Sequence, residues 1–558
     1  MVCFSEPVRP RRWRRGGLLA LLVSTTAAVA ISGCSNDDAA DRSTTTTAPT
    51  TTAAPTTTAP TPASRQPLPV AWVRQVGGAG NDVLNAATGR GDEVIGIGST
   101  TGLTPQTAVA DGATAAFTDT VAAADGTAKA TLQSSQRSTA TGTGIASGSA
   151  GQASGSGSGT GTGSGESQTG SPPWTLACGA TPPGAAPDPA TVGAAGTDGW
   201  CTSVGSDGSL GDAQVSRGDG DDELRSVTVH AADAEQGGTA DEPSAFAVGR
   251  TVGMFPGAKD PTGGYLGSGD ALVTRLESNG TIRWARQFGT TDADEADAVT
   301  TSDDGDAIVG GSTDGRTDGD VGGTLGSRDA WIARMDPNGN LRWLTQFGSP
   351  GRDRALAVAS GGDPRRGTEV FIGAGSTDAA VGSATNLGGT DAMVSAFNAS
   401  GRLIWSAQIG SPADDVATGV VVDGSTVYVS GTAGGPIVGA QQIALTPSTS
   451  PAGPSGAPTP SSTTTTTAAP TTAPPPGGGK DGFLAAIDAT TGEVLWVAQF
   501  GSTGDDVVTN MTRTESGLIV LSGSTTGQLT AAPAGGGTDG FMIAFVPPAG
   551  GGGAASMV

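Results

Sequence analysis

The sequence predicts an all-β protein whose body is a closed β-propeller of about six, or alternatively seven, four-stranded blades. Three observations predict it. A strand phrase recurs five times, Asp-led phrases follow it in fixed order, and the body starts and stops out of phase with its own repeat.

The strand phrase is tryptophan, two variable residues, glutamine, an apolar residue and glycine. It starts at Trp72, Trp284, Trp343, Trp405 and Trp496. The steps from Trp284 to Trp343 and on to Trp405 are 59 and 62 residues, and the next is lengthened to 91 by a Thr/Pro-rich insertion. Self-similarity at such a period marks a repeat architecture. Within the phrase, side chains two apart share a face: Leu341, Trp343, Thr345 and Phe347, or Leu403, Trp405, Ala407 and Ile409. That is the period of a strand.

Five residues after each phrase-ending glycine stands an aspartate: Asp82, Asp294, Asp353, Asp415 and Asp506. An apolar run ending in Gly-x-Ser/Thr comes next. Then follow Asp-small-apolar phrases at Asp329, Asp391, Asp481 and Asp539, and a turn such as the one at Asn338-Gly339. A degenerate unit opens at Asp222 and runs through Asp270 to Trp284. Each unit thus holds four short apolar segments divided by turn residues. A β-solenoid is the rival architecture, but its coils are shorter and it needs no closure.

The body opens on a fourth strand around Trp72 and closes on a third strand, Asp539 to Val546. In a ring the first strand completes the last blade, and no edge is left open between the chain's two ends. Blade starts near Asp82, Asp222, Asp294, Asp353, Asp415 and Asp506 give six; seven follow if residues 173–213 supply one more. These phrases resemble the bacterial β-propeller repeat family known as SBBP, over most of 68–548 outside the insertions. The first unit departs from the pattern, with no clear Asp-Ala-Phe phrase and no tryptophan strand of its own. The resemblance implies a propeller fold and an extracytoplasmic setting, and little about ligand or activity. The segment from Ala486 to Trp496 also resembles the repeat of quinone-dependent dehydrogenases and their scaffold relatives, in a single copy and without vicinal cysteines.

The N-terminus carries export signals. Arg9, Arg11, Arg12, Arg14 and Arg15 precede an apolar stretch from Gly16 to Ile31, which closes on Ile31-Ser-Gly-Cys34. Basic, then apolar, then small residues is the layout of a secretory signal peptide. Its end resembles the lipobox of bacterial lipoproteins, which implies a diacylated Cys34 as the mature N-terminus. The alternative is an ordinary signal peptide that holds a cysteine. The arginine pairs leave twin-arginine export open, although the rest of that motif is missing. The expected organisation is a lipoprotein signal peptide (1–33), a Thr/Pro-rich tether (34–67), the propeller (68–548) and a flexible tail (549–558). Low-complexity insertions interrupt the propeller near 130–213 and 446–479. The tether has nothing to bury and is expected to stay extended; its threonines could accept O-linked sugars.

Composition narrows the function. The chain carries a net charge of −24, and a form lacking the five arginines and one glutamate of residues 1–33 carries −28. Such a surface repels phosphate backbones, which sets nucleic acid aside. No apolar run after the signal reaches the ~20 residues of a membrane span, so membrane attachment is expected through lipid alone, on a monomer. Of four cysteines, Cys3 leaves with the signal and Cys34 takes lipid. Cys178 and Cys201 remain as a disulfide or as two buried thiols.

His230 is the only histidine, and its surroundings offer neither a nucleophile elbow nor a zinc-ligand set. It reads as structural or surface. What remains is the repeated aspartates Asp82, Asp222, Asp294, Asp353, Asp415 and Asp506. They read as turn caps that accept backbone N–H groups, with calcium, a hard cation that takes oxygen ligands, as the competing account. No other cofactor is expected. Two function classes stand. One is a display or binding module for a protein or cell-wall glycan, or an assembly scaffold. The other is an enzyme using paired carboxylates on a glycan. Because no unit visibly departs from the repeat to gather acids and aromatics, the binding module is preferred and no catalytic residue is assigned.

Overall fold

A computed structural model describes residues 66–102, 114–133, 141–148, 174–181, 197–216, 218, 220–230, 244–259, 267–316, 326–362, 369–445, 478–530 and 536–548. Cys34, the signal segment and the tether lie outside the described residues.

Seven sheets make up the ring. Strand β1 (Val70–Val76) precedes blade 1, which is β2 (Asp82–Arg90), β3 (Glu93–Thr100), β4 (Ala115–Ala122) and β5 (Ala128–Gln133). Blade 2 is β6 (Thr141–Gly148), β7 (Trp174–Thr181), β8 (Asp198–Val204) and β9 (Gln214–Ser216). Blade 3 is β10 (Asp222–His230), β11 (Ser244–Thr251), β12 (Asp270–Leu276) and β13 (Ile282–Phe288). Blade 4 is β14 (Asp294–Thr301), β15 (Ala307–Thr313), β16 (Asp329–Met335) and β17 (Leu341–Phe347). Blade 5 is β18 (Asp353–Gly361), β19 (Val370–Thr377), β20 (Asp391–Asn398) and β21 (Leu403–Ile409). Blade 6 is β22 (Asp415–Asp423), β23 (Thr426–Ala433), β25 (Asp481–Asp488) and β26 (Val494–Phe500), with the short β24 (Gln441–Gln442) on its outer edge. Blade 7 is β27 (Asp506–Arg513), β28 (Ile519–Thr525) and β29 (Asp539–Phe545), completed by β1 from the other end of the chain.

The count is therefore seven, the second of the two counts expected. The added blade spans 141–216, and its second and third strands lie within the 173–213 stretch that the seven-blade count required, although most of it was expected to be an insertion. It was hard to see because its first strand lies in a Gly/Ser/Thr run and its fourth strand is three residues long without the tryptophan phrase. In blade 1, Ala115 pairs with Thr100 where Asp329 pairs with Thr313 in blade 4, so alanine replaces the aspartate of the repeat.

Burial follows position in the blade. Third strands are covered on both faces, and Asp329–Met335 is buried at every residue. First strands line the channel and alternate, as in Asp294–Thr301. Every first strand also slips register after its opening residues, at Leu84/Ala86, Gly142/Gly144, Leu224/Ser226, Ala296/Ala298, Ala355/Ala357, Ala417/Gly419 and Val508/Asn510. Such a bulge leaves one residue unpaired and re-aims its side chain. It also explains the glycine of the Gly-x-Ser/Thr phrase. A Cβ on Gly311 would lie 1.9 Å from the Glu295 carbonyl oxygen, and one on Gly375 1.9 Å from that of Arg354.

The repeated tryptophan fastens one blade to the next. Trp72, Trp284, Trp343 and Trp405 each donate the indole N–H to a carbonyl in the following blade's turn between third and fourth strands: Ala123, Pro337, Ala399 and Ala489, at 2.8–3.1 Å. Gly401 and Gly492, both with φ near +75° to +78°, lie flat against the Trp343 and Trp405 rings, where a Cβ would come within 2.6 and 2.8 Å. The glutamine of the phrase works on the opposite rim. Gln287, Gln346, Gln408 and Gln75 donate to Asp270, Asp329, Asp391 and Asp539.

Cys178 and Cys201 occupy directly paired positions on β7 and β8 and are joined as a disulfide. Blade 2 has only a stub for a fourth strand, so this link carries more of its cohesion than a disulfide would in a full blade. Replacing both cysteines by serine is expected to lower stability by ~3 kcal/mol, the chain-entropy value for a loop of this size. A melting temperature equal to the parent's in differential scanning calorimetry would show that the link is dispensable.

Candidate functional site at the channel mouth

First and third strands run the same way through each blade, so both sets of strand-opening aspartates fall on one face of the ring, here called the Asp face. Asp82, Asp222, Asp294, Asp353, Asp415 and Asp506 are all essentially inaccessible to solvent. Each accepts the backbone N–H four residues earlier: Gly78, Gly218, Thr290, Ser349, Ser411 and Ser502 respectively. Thr290, Ser349, Ser411 and Ser502 add a hydroxyl at 2.9–3.0 Å. At two junctions a second aspartate, from the preceding blade, lies against the same glycine as the first. A Cβ on Gly289 would lie 2.5 Å from an Asp294 oxygen and 2.9 Å from an Asp270 oxygen, and Gly501 relates Asp481 and Asp506 in the same way.

Burial pushes the carboxyls of Asp222, Asp294, Asp353 and Asp481 up to about 6. Turn hydrogen bonds oppose this at the first three, and the neighbouring aspartates reinforce it at all four. Asp82, Asp415 and Asp506 are raised for the same reason. Among the described residues, no group of three or more His, Cys, Asp or Glu side chains is placed to hold a metal ion. His230 ends β10, with its ring against Gly305 in the first turn of blade 4.

The first strands of all seven blades line a central cavity of ≈490 Å³. The bulged residues Asn85, Arg225, Asp297, Leu356, Thr418 and Thr509 all face it. In blades 6 and 7 the bulge carries a hydroxyl that ties to the next blade: Thr418 donates to the Val508 carbonyl and Thr509 to that of Leu84, each at 2.7 Å. Blades 3 to 5 depart from this pattern. Arg225 donates to Glu295 at 2.9 Å, to Asp297 at 2.7 Å and to Glu223 at 2.9 Å. Arg354 reaches the same Glu295 and Asp297 from blade 5 at 3.1 and 3.3 Å. Arg328 grips Asp314 at 2.6 Å and stands 3.9 Å from Glu295.

The cluster is one-sided and graded in exposure. Asp297 is 7% exposed, whereas Arg354 and Glu223 are each 37% exposed at the mouth. Burial alone would raise the Glu295 carboxyl, but Arg225, Arg354 and Arg328 outweigh it and hold that group below the ordinary glutamate value. The Arg225 guanidinium is held charged by Asp297 and Glu295 against its own burial. Facing the cluster across the mouth, blades 6, 7 and 1 place Val416, Val507 and Val83 at the offset that Glu223, Glu295 and Arg354 occupy. A groove of ≈610 Å³ runs between blades 6 and 7 from Thr418, past Val416 and Val507, to the exposed Lys480.

These residues were missed in the sequence, where the units looked uniform. The signal was present at offset one from the repeat aspartate, where blades 3 to 5 carry Glu223, Glu295 and Arg354, and at offset three in blades 3 and 4, where Arg225 and Asp297 stand. Without the bulge, nothing says that the residues at these two offsets meet at one channel mouth. Buried ion networks add little stability over well-packed apolar groups, so folding alone does not account for charge in three consecutive blades.

Fold and site together define a seven-bladed β-propeller with a charged channel mouth on its Asp face. No family model matches the chain. Over 175 residues it is 26% identical to the regulatory protein FlaEY of Caulobacter vibrioides, a match covering 29% of this chain and 18% of that protein's length. Among solved structures it is similar to BamB from Moraxella catarrhalis, with 11% identity, a TM-score of 0.31 and coverage of 86% of this chain and 98% of that one. It is likewise similar to quinohemoprotein alcohol dehydrogenase from Comamonas testosteroni, with 13% identity, a TM-score of 0.33 and coverage of 87% and 78%.

Proposed function

We propose that this protein is a lipid-anchored, extracytoplasmic binding propeller that engages a protein partner on its Asp face, at the channel mouth. The observation that carries the reading is the charged cluster of Arg225, Glu295, Asp297 and Arg354. It breaks the repeat in three neighbouring blades and is open to solvent only at the mouth. The lining favours a polypeptide over a glycan. Small aliphatic, hydroxyl and charged side chains make up the channel and the adjoining groove, and among the described residues that line them there is none of the aromatic platforms on which sugar rings stack. The Ile31-Ser-Gly-Cys34 ending supports export and anchoring.

Arg354→Glu is expected to cut recovery of the cross-linked partner from intact cells at least about tenfold, the scale of losing one charged contact at an interface. The melting temperature should fall by only a few degrees, because Arg225 still pairs Glu295 and Asp297. Thr490→Lys, in a turn on the opposite face, should leave recovery intact. Equal recovery with Arg354→Glu would refute the site, and release of sugar by the purified protein from wall polysaccharide would favour the carboxylate-enzyme alternative. Cys34→Ala should free the protein from membranes; unchanged membrane retention and processing would refute the anchor.

A further inference from the structure

Every blade of a propeller presents the outer edge of its last strand, a row of backbone groups able to pair with another chain unless it is charged or covered. Blade by blade, this protein blocks that edge. Strand β1 carries Arg74, β5 carries Lys129, β13 carries Arg283 and Arg286, and β17 carries Arg342. Blade 2 has only the three-residue β9. Strand β26 has no charge, but the chain covers it: β24 pairs with it in parallel, Gln441 with Ala498 and Gln442 with Gln499, and the Ile443 N–H donates to the Gln499 carbonyl at 2.9 Å. Lys259 covers β13 in the same way, bridging in parallel to Arg286.

Strand β21 is the exception. Its sequence, Leu-Ile-Trp-Ser-Ala-Gln-Ile from Leu403 to Ile409, holds no charge, and among the described residues nothing pairs with its outer edge. Apolar surface concentrates there too. Leu403 is 45% exposed, Ile404 50%, the neighbouring Leu387 48% and Val438 91%. A cavity of ≈270 Å³ opens beside the strand, lined by Gln408 and Ile409 together with Leu387, Val438, Val494 and Val497.

We infer that the outer edge of blade 5 is a second docking surface, which accepts an extended, basic and aliphatic polypeptide segment of another protein by strand addition. The chain itself shows what such an edge takes, since the homologous edge of blade 6 holds a parallel strand followed by Ile443 and Leu445, which pack onto the core. Main-chain pairing supplies the affinity in this mode, and alternate side chains enter pockets. The net charge of −24 selects the occupant. Two copies of so acidic a chain repel one another, whereas a basic segment is drawn in. The Thr/Pro-rich segments of this chain do not suit the edge, because proline lacks the N–H that pairing needs. The surface lies on the rim, apart from the channel mouth, and does not depend on the function proposed for that site.

The test is amide hydrogen exchange on the full chain with an added synthetic peptide of alternating lysine and valine. Exchange along 403–409 is expected to slow about tenfold, while 341–347 on the charged edge of blade 4 is unaffected. Ile404→Arg should abolish the protection without changing the melting temperature, because Arg283 and Arg342 already occupy that position in blades 3 and 4. A glutamate–valine peptide should not protect. The inference is overturned if no peptide slows exchange at 403–409, if the acidic peptide protects equally, or if 341–347 is protected as strongly. It is also overturned if sedimentation shows that the chain alone forms dimers which Ile404→Arg dissociates, since the occupant would then be a second copy.

Discussion

Deleting residues 68–78 is expected to destabilise the whole propeller, although the segment lies at the edge of the folded body. Strand β1 pairs with β29 from Val70–Phe545 to Val76–Gly540, closing the ring between chain ends that lie far apart in sequence. Trp72 is 3% exposed, bonds to Ala123 in blade 1 and lies against Gly126. Gln75 donates to the Gly527 carbonyl and to Asp539, and accepts the Leu529 N–H. Trp72→Ala alone should cost ~3–5 kcal/mol, as truncation of a buried tryptophan does. The deletion should cost more and should bring aggregation, because β29 becomes a naked edge. Thermal unfolding measures both. If neither change moves the melting temperature, blade 7 does not depend on β1 and the ring is not held closed in this way.

Acidification is expected to stabilise the protein between pH 7 and about 5. Asp222, Asp294, Asp353 and Asp481 have carboxyls raised to about 6 by burial, above their unfolded value of 3.8. The folded state therefore binds protons more tightly than the unfolded chain. The stabilisation from these groups is full below the unfolded value and is lost as pH rises through about 6. Glu295 and Asp314, held low by arginines, work in the opposite sense and lose their contribution as pH falls through their lowered values. A gain in melting temperature on the order of 5 °C is expected between pH 7 and 5. Asp294→Asn should flatten part of that slope while keeping the acceptor for the Thr290 N–H. Asp294→Ala should simply lose the turn, at roughly 0.5–2 kcal/mol. A melting temperature that falls steadily from pH 7 to 5 would mean that the paired carboxylates are ionised and compensated in the fold.

Much of the fold was legible because the same physical demand recurs in several blades. A tryptophan that must reach the next blade's turn, a glutamine that must hold a buried aspartate and a glycine that must lie under a bulged carbonyl all repeat in the sequence. Strands β13, β17, β21, β26 and β1 were visible for that reason, as was closure from the phase of the two ends. Blade 2 was legible only as the alternative that 173–213 supply one more blade, because Thr141–Gly148 and Gln214–Ser216 carry none of these residues and their place is fixed by neighbours already folded. The charged mouth and the bare edge of β21 were hidden for a different reason. Each is a departure from the repeat, and its meaning depends on which side chains the bulge turns inward and which edge the chain leaves uncovered.

The tryptophan fastening is not continuous around the ring. It joins blade 7 to 1, 3 to 4, 4 to 5 and 5 to 6. Neither β5 nor β9 contains a tryptophan, so blade 2 is tied in this way to neither neighbour. The junction between blades 1 and 2 also lacks the aspartate pair, with Ala115 in the place of one carboxylate. Blade 2 is cross-braced internally by Cys178–Cys201 and seated by other polar contacts: from blade 1, Arg90 donates to the Gly205 and Ser206 carbonyls and Thr118 to that of Gly208, and from blade 3 the Asp222 N–H donates to the Thr197 carbonyl. Where four junctions rely on an indole, the seam between blades 1 and 2 is therefore held by a guanidinium and a hydroxyl on backbone carbonyls. A charged donor makes the stronger bond, so the blade whose sequence looks least like the others is riveted by different hardware at the same place in the turn.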